Sequence, residues 1–237
     1  MTAARALLLG TALVMLTAAS GSKDTRRPAG DLVFTHPQYA QLAPASIAML
    51  PAASFDSNSE RERVLAVTWA ANFGSKGYRW MSATTSRAML SSDSTGLALM
   101  AAARGAVLKQ ARLDSTIAQR MCRKLRVQAV LGVRLDGWDS QTIDTAESGK
   151  PWSRAYVRAA LIDSTGRLLW SAEGSETVDG LEHTAVSNAT GIESSSPHRD
   201  FATGEGAPPS PQEVFQRIAI RWAAVFPPHP APADSTH

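Results

Sequence analysis

The sequence predicts an α/β domain of mixed α+β character, in which helices cover both faces of one mixed β-sheet to give three layers. Strands first alternate with helices and then follow one another directly, an order typical of a mixed sheet. Apolar residues occupy alternate positions between Ala155 and Leu161, the pattern of a half-buried strand. Between Leu65 and Phe73 they recur every four positions instead, the pattern of a helix. We expect the domain to end in a β-hairpin and a C-terminal helix.

The first half of the domain alternates between the two element types. Its predicted elements are strands at 46–50 and 78–82 and helices starting at Asn58–Ser59, at about 84–90, at 97–108 and at 114–125. Pro51 ends the first strand because proline cannot continue a sheet ladder. Glu60 and Glu62 lie in the first turn of the first helix, where the helix dipole favours acids. In that helix Val64 and Val67 widen the apolar stripe.

The second half of the domain contains adjacent strands. They are predicted at 127–133, 154–162 and 167–178, with a polar loop at 141–151 and a turn at 163–166, where Asp, Ser and Gly are common turn formers. Residues 180–210 are rich in Ser, Gly, Pro and Thr, which predicts a long mobile loop. The closing helix at 211–225 begins with Pro211, and its apolar surface consists of Val214, Phe215, Ile218, Trp222 and Val225.

The N-terminal residues indicate export. Residues 1–20 combine Arg5 with an uncharged Leu/Ala-rich run shorter than the ~20 residues needed to span a bilayer, which predicts a signal peptide or a membrane anchor. A lipoprotein would require a cysteine after this run, and the sequence has none there. We expect 21–44 to be a flexible tether and lead-in, 45–226 a single domain and 227–237 a disordered tail. The expected location is the periplasm.

Composition narrows the possible functions. The formal net charge of +3 is small, so nucleic acid is not an expected partner. Cys122 is the single cysteine, which excludes an intramolecular disulfide and any cysteine cluster for a metal. The five histidines show no helical spacing for zinc, and no phosphate-binding glycine motif occurs. We therefore expect no cofactor and no metal.

Several short segments carry a family resemblance. They are SIAMLP at 46–51, the strand opening at Gly77–Tyr78, AVLGVRLDGW at 129–138 and ALIDSTGRLLW at 160–170, followed by a C-terminal helix. In this order they resemble a group of bacterial envelope proteins that includes the TolB N-terminal domain, the lipoprotein LpoB and the curli secretion protein CsgG. The resemblance implies a three-layer α/β domain that binds other envelope proteins and catalyses no reaction. The polar loops at 141–151 and 180–210 do not suit the membrane hairpins of a CsgG-like pore.

The motifs that could indicate catalysis have simpler explanations. Asp-Ser-Thr-Gly occurs at 93–96 and 163–166, but an aspartic protease would need Gly where Thr95 and Thr165 stand. Turn formation explains both segments better. A Gly-x-Ser-x-Gly nucleophile turn is absent from the sequence.

Two groups of residues are candidates for partner contact. Arg120, Arg123 and Lys124 share one face of a predicted helix, which is either a solvated face or a docking surface for acidic lipid headgroups or an acidic protein. Trp138 and Trp152 flank the polar loop. They are either interface anchors or packing residues at strand ends.

The expected function is docking onto a larger membrane-associated assembly of the envelope as a non-enzymatic accessory subunit. A small hydrolase using His183, Glu182 or Asp136 is one alternative, and a binder of a small ligand above the strand ends is another. A hydrolase requires a concave pocket with converging titratable groups. Docking requires exposed apolar patches rimmed by Arg, and strand addition becomes possible if 154–162 lies at an open sheet edge.

Overall fold

The fold was obtained as a computed structural model, which describes residues 30–110, 113–143, 148–182 and 207–230, with the backbone alone for 107–110. The strands are β1 Leu32–Thr35, β2 Ser46–Met49, β3 Ala53–Ser54, β4 Arg79–Met81, β5 Ala129–Gln141, β6 Trp152–Asp163 and β7 Leu168–Asp179. The helices are α1 Tyr39–Leu42, α2 Ser59–Phe73, α3 Ala83–Leu90, α4 Ser94–Gln110, α5 Ser115–Leu125 and α6 Pro211–Val225. The predicted fold class is confirmed, since this is a mixed sheet packed between helices.

Polar side chains mark where the helices begin. Asn58 accepts a hydrogen bond from the backbone of α2, Ser82 from α3, Asp114 from α5 and Ser210 from α6. Each of these side chains satisfies a backbone N–H that has no partner within the helix. The predicted start of the first helix at Asn58–Ser59 is therefore confirmed in detail.

The seven strands form one sheet in the order β1-β7-β6-β5-β2-β4, with β3 pairing beside β5. β2 runs parallel to β4 and β5, whereas β5, β6, β7 and β1 form consecutive antiparallel pairs. β6 pairs with β5 on one side and β7 on the other. The strand predicted at 154–162 is thus central, and strand addition to it is excluded.

One face of the sheet, which we call the aromatic face, packs against α2 and α6. Its core contains Trp69, Phe73, Trp170, Trp222 and Phe226. Trp170 and Phe226 lie with their ring centroids 4.9 Å apart in an edge-to-face arrangement, and Phe73 and Phe226 lie 5.0 Å apart in a similar one. Such pairs add about 0.5–1.5 kcal/mol each beyond the apolar area they bury.

Helices α3, α4 and α5 cover part of the opposite face. Their apolar residues pack against Ala48, Val130, Ala160 and Ile162, and Cys122 is buried in this second core. The remainder of this face, along β6, β7 and β1, carries exposed or half-buried side chains. The third layer is therefore incomplete, and it leaves one end of the sheet accessible to solvent.

The structure adds detail to some sequence-based expectations and corrects others. The lead-in expected at 21–44 contributes β1, which pairs with β7 at the edge of the sheet. Val67 and Val225, expected in apolar stripes, are exposed. In the expected tail, His229 packs edge-to-face on Tyr78. The leader at 1–20 and most of the loop expected at 180–210 lie outside the described residues.

Among the described residues, every helix falls short of the length and apolar character required to cross a bilayer.

Candidate functional site

The exposed end of the sheet forms a surface that we call the open patch: Leu32, Phe34, Trp152, Arg154, Tyr156 and Arg158. Directly opposed residues of antiparallel strands share a face. Leu32 opposes Glu173, Glu173 opposes Arg158, and Arg158 opposes Arg134, so one row of side chains crosses four strands. The position of these residues is therefore set by backbone pairing.

A column of large side chains runs along β6 within the open patch. Trp152, Arg154, Tyr156 and Arg158 alternate with the buried Ser153, Ala155 and Val157, so all four project from the same side of the strand. The Arg154 guanidinium lies over the Trp152 ring, 5.4 Å from its centroid. Arg154 also donates hydrogen bonds to Thr177 Oγ1 at 2.9 Å and to the Tyr156 hydroxyl at 3.2 Å. These contacts hold the column in one arrangement.

Apolar surface is exposed within the same patch. Tyr156 is 43% exposed, Leu32 71% and Phe34 41%. The Tyr156 ring lies over Gly137, where an added Cβ would approach Tyr156 Cδ2 to 3.1 Å. Glycine therefore allows the tyrosine ring to pack closely against the neighbouring strand.

A charged cluster borders the column. The register of β5 and β6 shifts between Leu135 and Gly137, and Asp136 is the extra residue of this bulge. It pairs with both Arg134 and Arg158, and Arg158 Nη2 donates to Glu173 Oε1 at 2.9 Å. Burial raises the pKa of Asp136, and the charges of the two arginines oppose that effect.

An arginine of α6, on the aromatic face, links the start of β1 to β7. Arg221 of α6 pairs with Asp31, just before β1, and with Glu176 of β7. Both carboxylates are mostly buried, whereas Arg221 is partly exposed. These contacts raise the pKa of Arg221, chiefly through the hydrogen bond to Asp31. Asp31 is thus anchored to α6, and this fixes the position of the next residue, the exposed Leu32.

A second feature is a cleft of about 1080 Å³ between α2, α3 and α4, above the carboxyl end of β2. Its apolar lining includes Leu50, Ala66, Leu90, Leu97, Met100 and Met121. Arg63, Arg87 and Arg104 line it together with Glu60 and Glu62. Its position agrees with the alternative hypothesis of a ligand site above the strand ends.

The buried Glu62 holds the walls of this cleft together. Its carboxylate accepts hydrogen bonds from the Ser54 backbone N–H at 3.0 Å and the Ser54 hydroxyl at 3.2 Å. Arg104 of α4 forms an ion pair with the same oxygen. One side chain of α2 therefore connects β3 and α4, and the buried Glu62 carboxylate has a cationic partner.

The basic residues considered for partner contact all lie on α5, but they differ in their partners. Arg120 and Arg123 are exposed on α5, where neither forms an ion pair with another described residue. Lys124 pairs with Asp93. Arg104 of α4 lies in the lining of the cleft.

The two candidate tryptophans lie on opposite faces of the sheet. Trp138 packs edge-to-face on Phe215 at 5.9 Å, and the Arg61 guanidinium lies 5.2 Å from its centroid, on the aromatic face. Trp152 belongs to the open patch, and its indole N–H donates to Gln141. The structure therefore does not bring them together as one contact surface.

Two of the aspartates considered for catalysis stabilise a turn and a helix start, and Glu182 is exposed at the surface. Asp163 Oδ1 accepts hydrogen bonds from the backbone of Thr165 at 2.8 Å and of Arg167 at 3.0 Å, which closes the predicted turn. Asp93 accepts from the Gly96 backbone at 2.7 Å at the start of α4. Glu182 is exposed and 3.8 Å from Lys150, and His183 lies outside the described residues.

Sequence reasoning missed Arg154, Tyr156 and Arg158. Their signal is the same alternation that predicted the strand, because residues between the buried positions must point the other way. The strand that contains Leu32 and Phe34 gave a weaker signal, because it is four residues long and Pro37 follows it closely. Their strand pairs with a partner about 140 residues away, and local patterns do not contain that information.

Comparison with known proteins gave structural similarities alone: no family model and no curated protein matches the chain. One similar structure is the PelC dodecamer from Paraburkholderia phytofirmans, with 16% identity, 82% of this chain and 94% of that chain covered, and a TM-score of 0.38. A second is the lipoprotein GNA1162 from Neisseria meningitidis, with 22% identity, coverage of 58% and 85%, and a TM-score of 0.42. A third is the hypothetical protein CT253 from Chlamydia trachomatis, with 13% identity, coverage of 77% and 97%, and a TM-score of 0.39. The resemblance to TolB, LpoB and CsgG stays a prediction.

Proposed function

We propose that this chain is a non-enzymatic accessory protein of the bacterial cell envelope that docks onto a partner protein through the open patch. The observation that carries the proposal is the column Trp152, Arg154, Tyr156 and Arg158, fixed on a central strand beside the exposed Leu32. Trp, Tyr and Arg are the residues most enriched at the energetic centres of protein interfaces. Exposed apolar surface bordered by arginine is the feature that docking requires.

Rigidity supports this assignment. Binding loses affinity when mobile side chains must be ordered, at about 0.5–1.5 kcal/mol for each one. In the open patch Arg154 is already held between Trp152, Tyr156 and Thr177, and Arg158 by Asp136 and Glu173. A partner would therefore meet a surface whose side chains are largely ordered before contact.

The test begins with a photo-crosslinking amino acid at position 156 in cells that produce the full chain. The control places it at Ile220, which is exposed on α6 on the aromatic side of the sheet. We expect a discrete adduct from position 156 and none of the same mass from position 220. The captured protein is then identified and purified for binding measurements.

Binding of that purified partner decides the proposal. Tyr156→Ala should weaken the affinity at least about tenfold, or ~1.4 kcal/mol, while Ile220→Ala leaves it unchanged. Equal affinities for both variants, or identical adducts from both positions, would contradict docking through this patch.

A further inference from the structure

The cleft between α2, α3 and α4 has the chemistry of a binding site for an amphiphile. Its volume of about 1080 Å³ matches the upper end of the ~300–1,000 Å³ range typical of small-molecule sites. Its lining is mainly aliphatic, with methionines that adapt to irregular chains. Val67 and Leu97, from α2 and α4, line it while being 59% and 47% exposed. An apolar chain in the cleft would cover both.

The charges around the cleft favour one anionic group. Of the three arginines, Arg63 pairs with Glu60 and Arg104 with Glu62. Arg87, in the last turn of α3, forms no ion pair among the described residues. The lining therefore carries one excess positive charge, on a guanidinium whose planar donors suit a carboxylate.

The backbone at the cleft is strained. Ser57, which lines the cleft, is a non-glycine residue with a φ of 54°. The Asn58 N–H donates to Ser54 Oγ at 2.9 Å and to Asp56 Oδ1 at 3.2 Å, which holds the turn. Strained backbone of this kind concentrates at functional sites, where the surrounding structure maintains it. It is an observation independent of the arginines and the apolar walls.

We infer that the cleft binds a free single-chain amphiphile with an anionic head group, of the class of fatty acids. The chain lies between Val67 and Leu97 over the aliphatic floor, and the carboxylate pairs with Arg87. The inference uses none of the residues of the open patch, so it stands or fails independently of the proposed docking function.

The experiment is calorimetric titration of the full chain with oleate below its micellar concentration. We expect saturable 1:1 binding that is at least about tenfold weaker for octanoate, which buries less chain, and for oleyl alcohol, which lacks the charge. Oleate should also raise the melting temperature, because a ligand of the native state stabilises it. Failure to bind, equal affinity for oleyl alcohol, or a lowered melting temperature would each overturn the inference.

Two variants with matched controls locate the site. Arg87→Gln should weaken oleate binding at least about tenfold, while Arg167→Gln, in the exposed turn between β6 and β7, should have no effect. Val67→Asp should also weaken it, while Ile220→Asp, at a similarly exposed helix position, should not. All four changes are at exposed residues, so the proteins should remain folded. If the controls weaken binding equally, the site is elsewhere.

Anionic lipid vesicles distinguish a free amphiphile from a membrane surface. Sedimentation with phosphatidylglycerol vesicles should leave this protein in the supernatant under conditions where oleate saturates it. Vesicle binding without binding of monomeric oleate would replace the inference with a membrane contact, for which Arg120 and Arg123 on α5 are the exposed cations.

Discussion

The two faces of the sheet use aromatic residues in opposite ways. On the aromatic face Trp69, Phe73, Trp170 and Trp222 are fully buried and contact one another edge-to-face or by stacking. On the opposite face the open patch presents tryptophan and tyrosine to solvent with arginines between them. On the strands, Trp170 of β7 faces the core and Tyr156 of β6 faces the open patch through the same alternation, so the pattern alone does not distinguish a core from an interface. The difference arises from the helix layers, since one is complete and the other stops part of the way along the sheet.

The largest expected effect lies on the aromatic face. Trp222→Ala removes a ring that contacts Trp69 at 5.7 Å and Trp170 at 6.4 Å, and it should lower the free energy of unfolding by about 3–5 kcal/mol. Ile220→Ala, two positions earlier on α6 but exposed, should change it by less than about 0.5 kcal/mol. Urea denaturation measures both. Similar losses for the two variants would mean that α6 does not pack as described.

A smaller effect concerns Arg221, which anchors the start of β1 from the aromatic face. Arg221→Met leaves the carboxylates of Asp31 and Glu176 without their cation, and stability should fall by about 1–2 kcal/mol because Arg221 itself is partly exposed. Backbone amides of β1 should exchange faster with solvent, since the edge strand loses its anchor.

The matched control for this change is on the same helix. Arg217 forms an exposed i,i+4 pair with Glu213, so Arg217→Met should cost less than about 0.5 kcal/mol and leave exchange in β1 unchanged. Unchanged exchange in the Arg221 variant would show that β1 is held by its pairing to β7 alone.

Sequence patterns predicted the layers well because they are determined by local periodicity. The stripe from Leu65 to Phe73 and the alternation from Ala155 to Leu161 both point into the aromatic core, as expected. Gly166, with a φ of 84°, and Asp163 form the predicted turn between β6 and β7. In each case one short segment contains the whole signal.

Features that depend on distant segments were not predictable in the same way. That β7 is not the edge of the sheet depends on β1, which comes from about 140 residues earlier in the chain. The exposure of Val67 follows from where α3 and α4 pack, because they leave a cleft beside α2. The separation of Trp138 from Trp152 follows from the one-residue bulge at Asp136, which alters which β5 residues face the open patch. The local sequence around each residue does not contain this information about strand order, helix packing or the bulge.

The smallest expected effect tests whether water reaches the part of the opposite face that α3, α4 and α5 cover. Burial, with a smaller contribution from the charge of Asp163, raises the pKa of the Cys122 thiol to about 12. A group whose pKa is higher in the folded than in the unfolded protein loses its contribution to stability as the pH rises between the two values. Between pH 9 and pH 10, the wild-type protein should therefore lose about 1 kcal/mol more stability than Cys122→Ala.

Urea denaturation of both proteins across this pH range measures the difference. Tyr39 and Tyr78 share a hydrogen bond of 2.7 Å, and burial raises the pKa of each, but both are present in the two proteins and cancel in the comparison. Parallel curves, or rapid reaction of the native thiol with a disulfide reagent at neutral pH, would show that water reaches Cys122. The helix layer would then be loose beyond the open patch as well, and the contrast between the two faces would extend over the whole sheet.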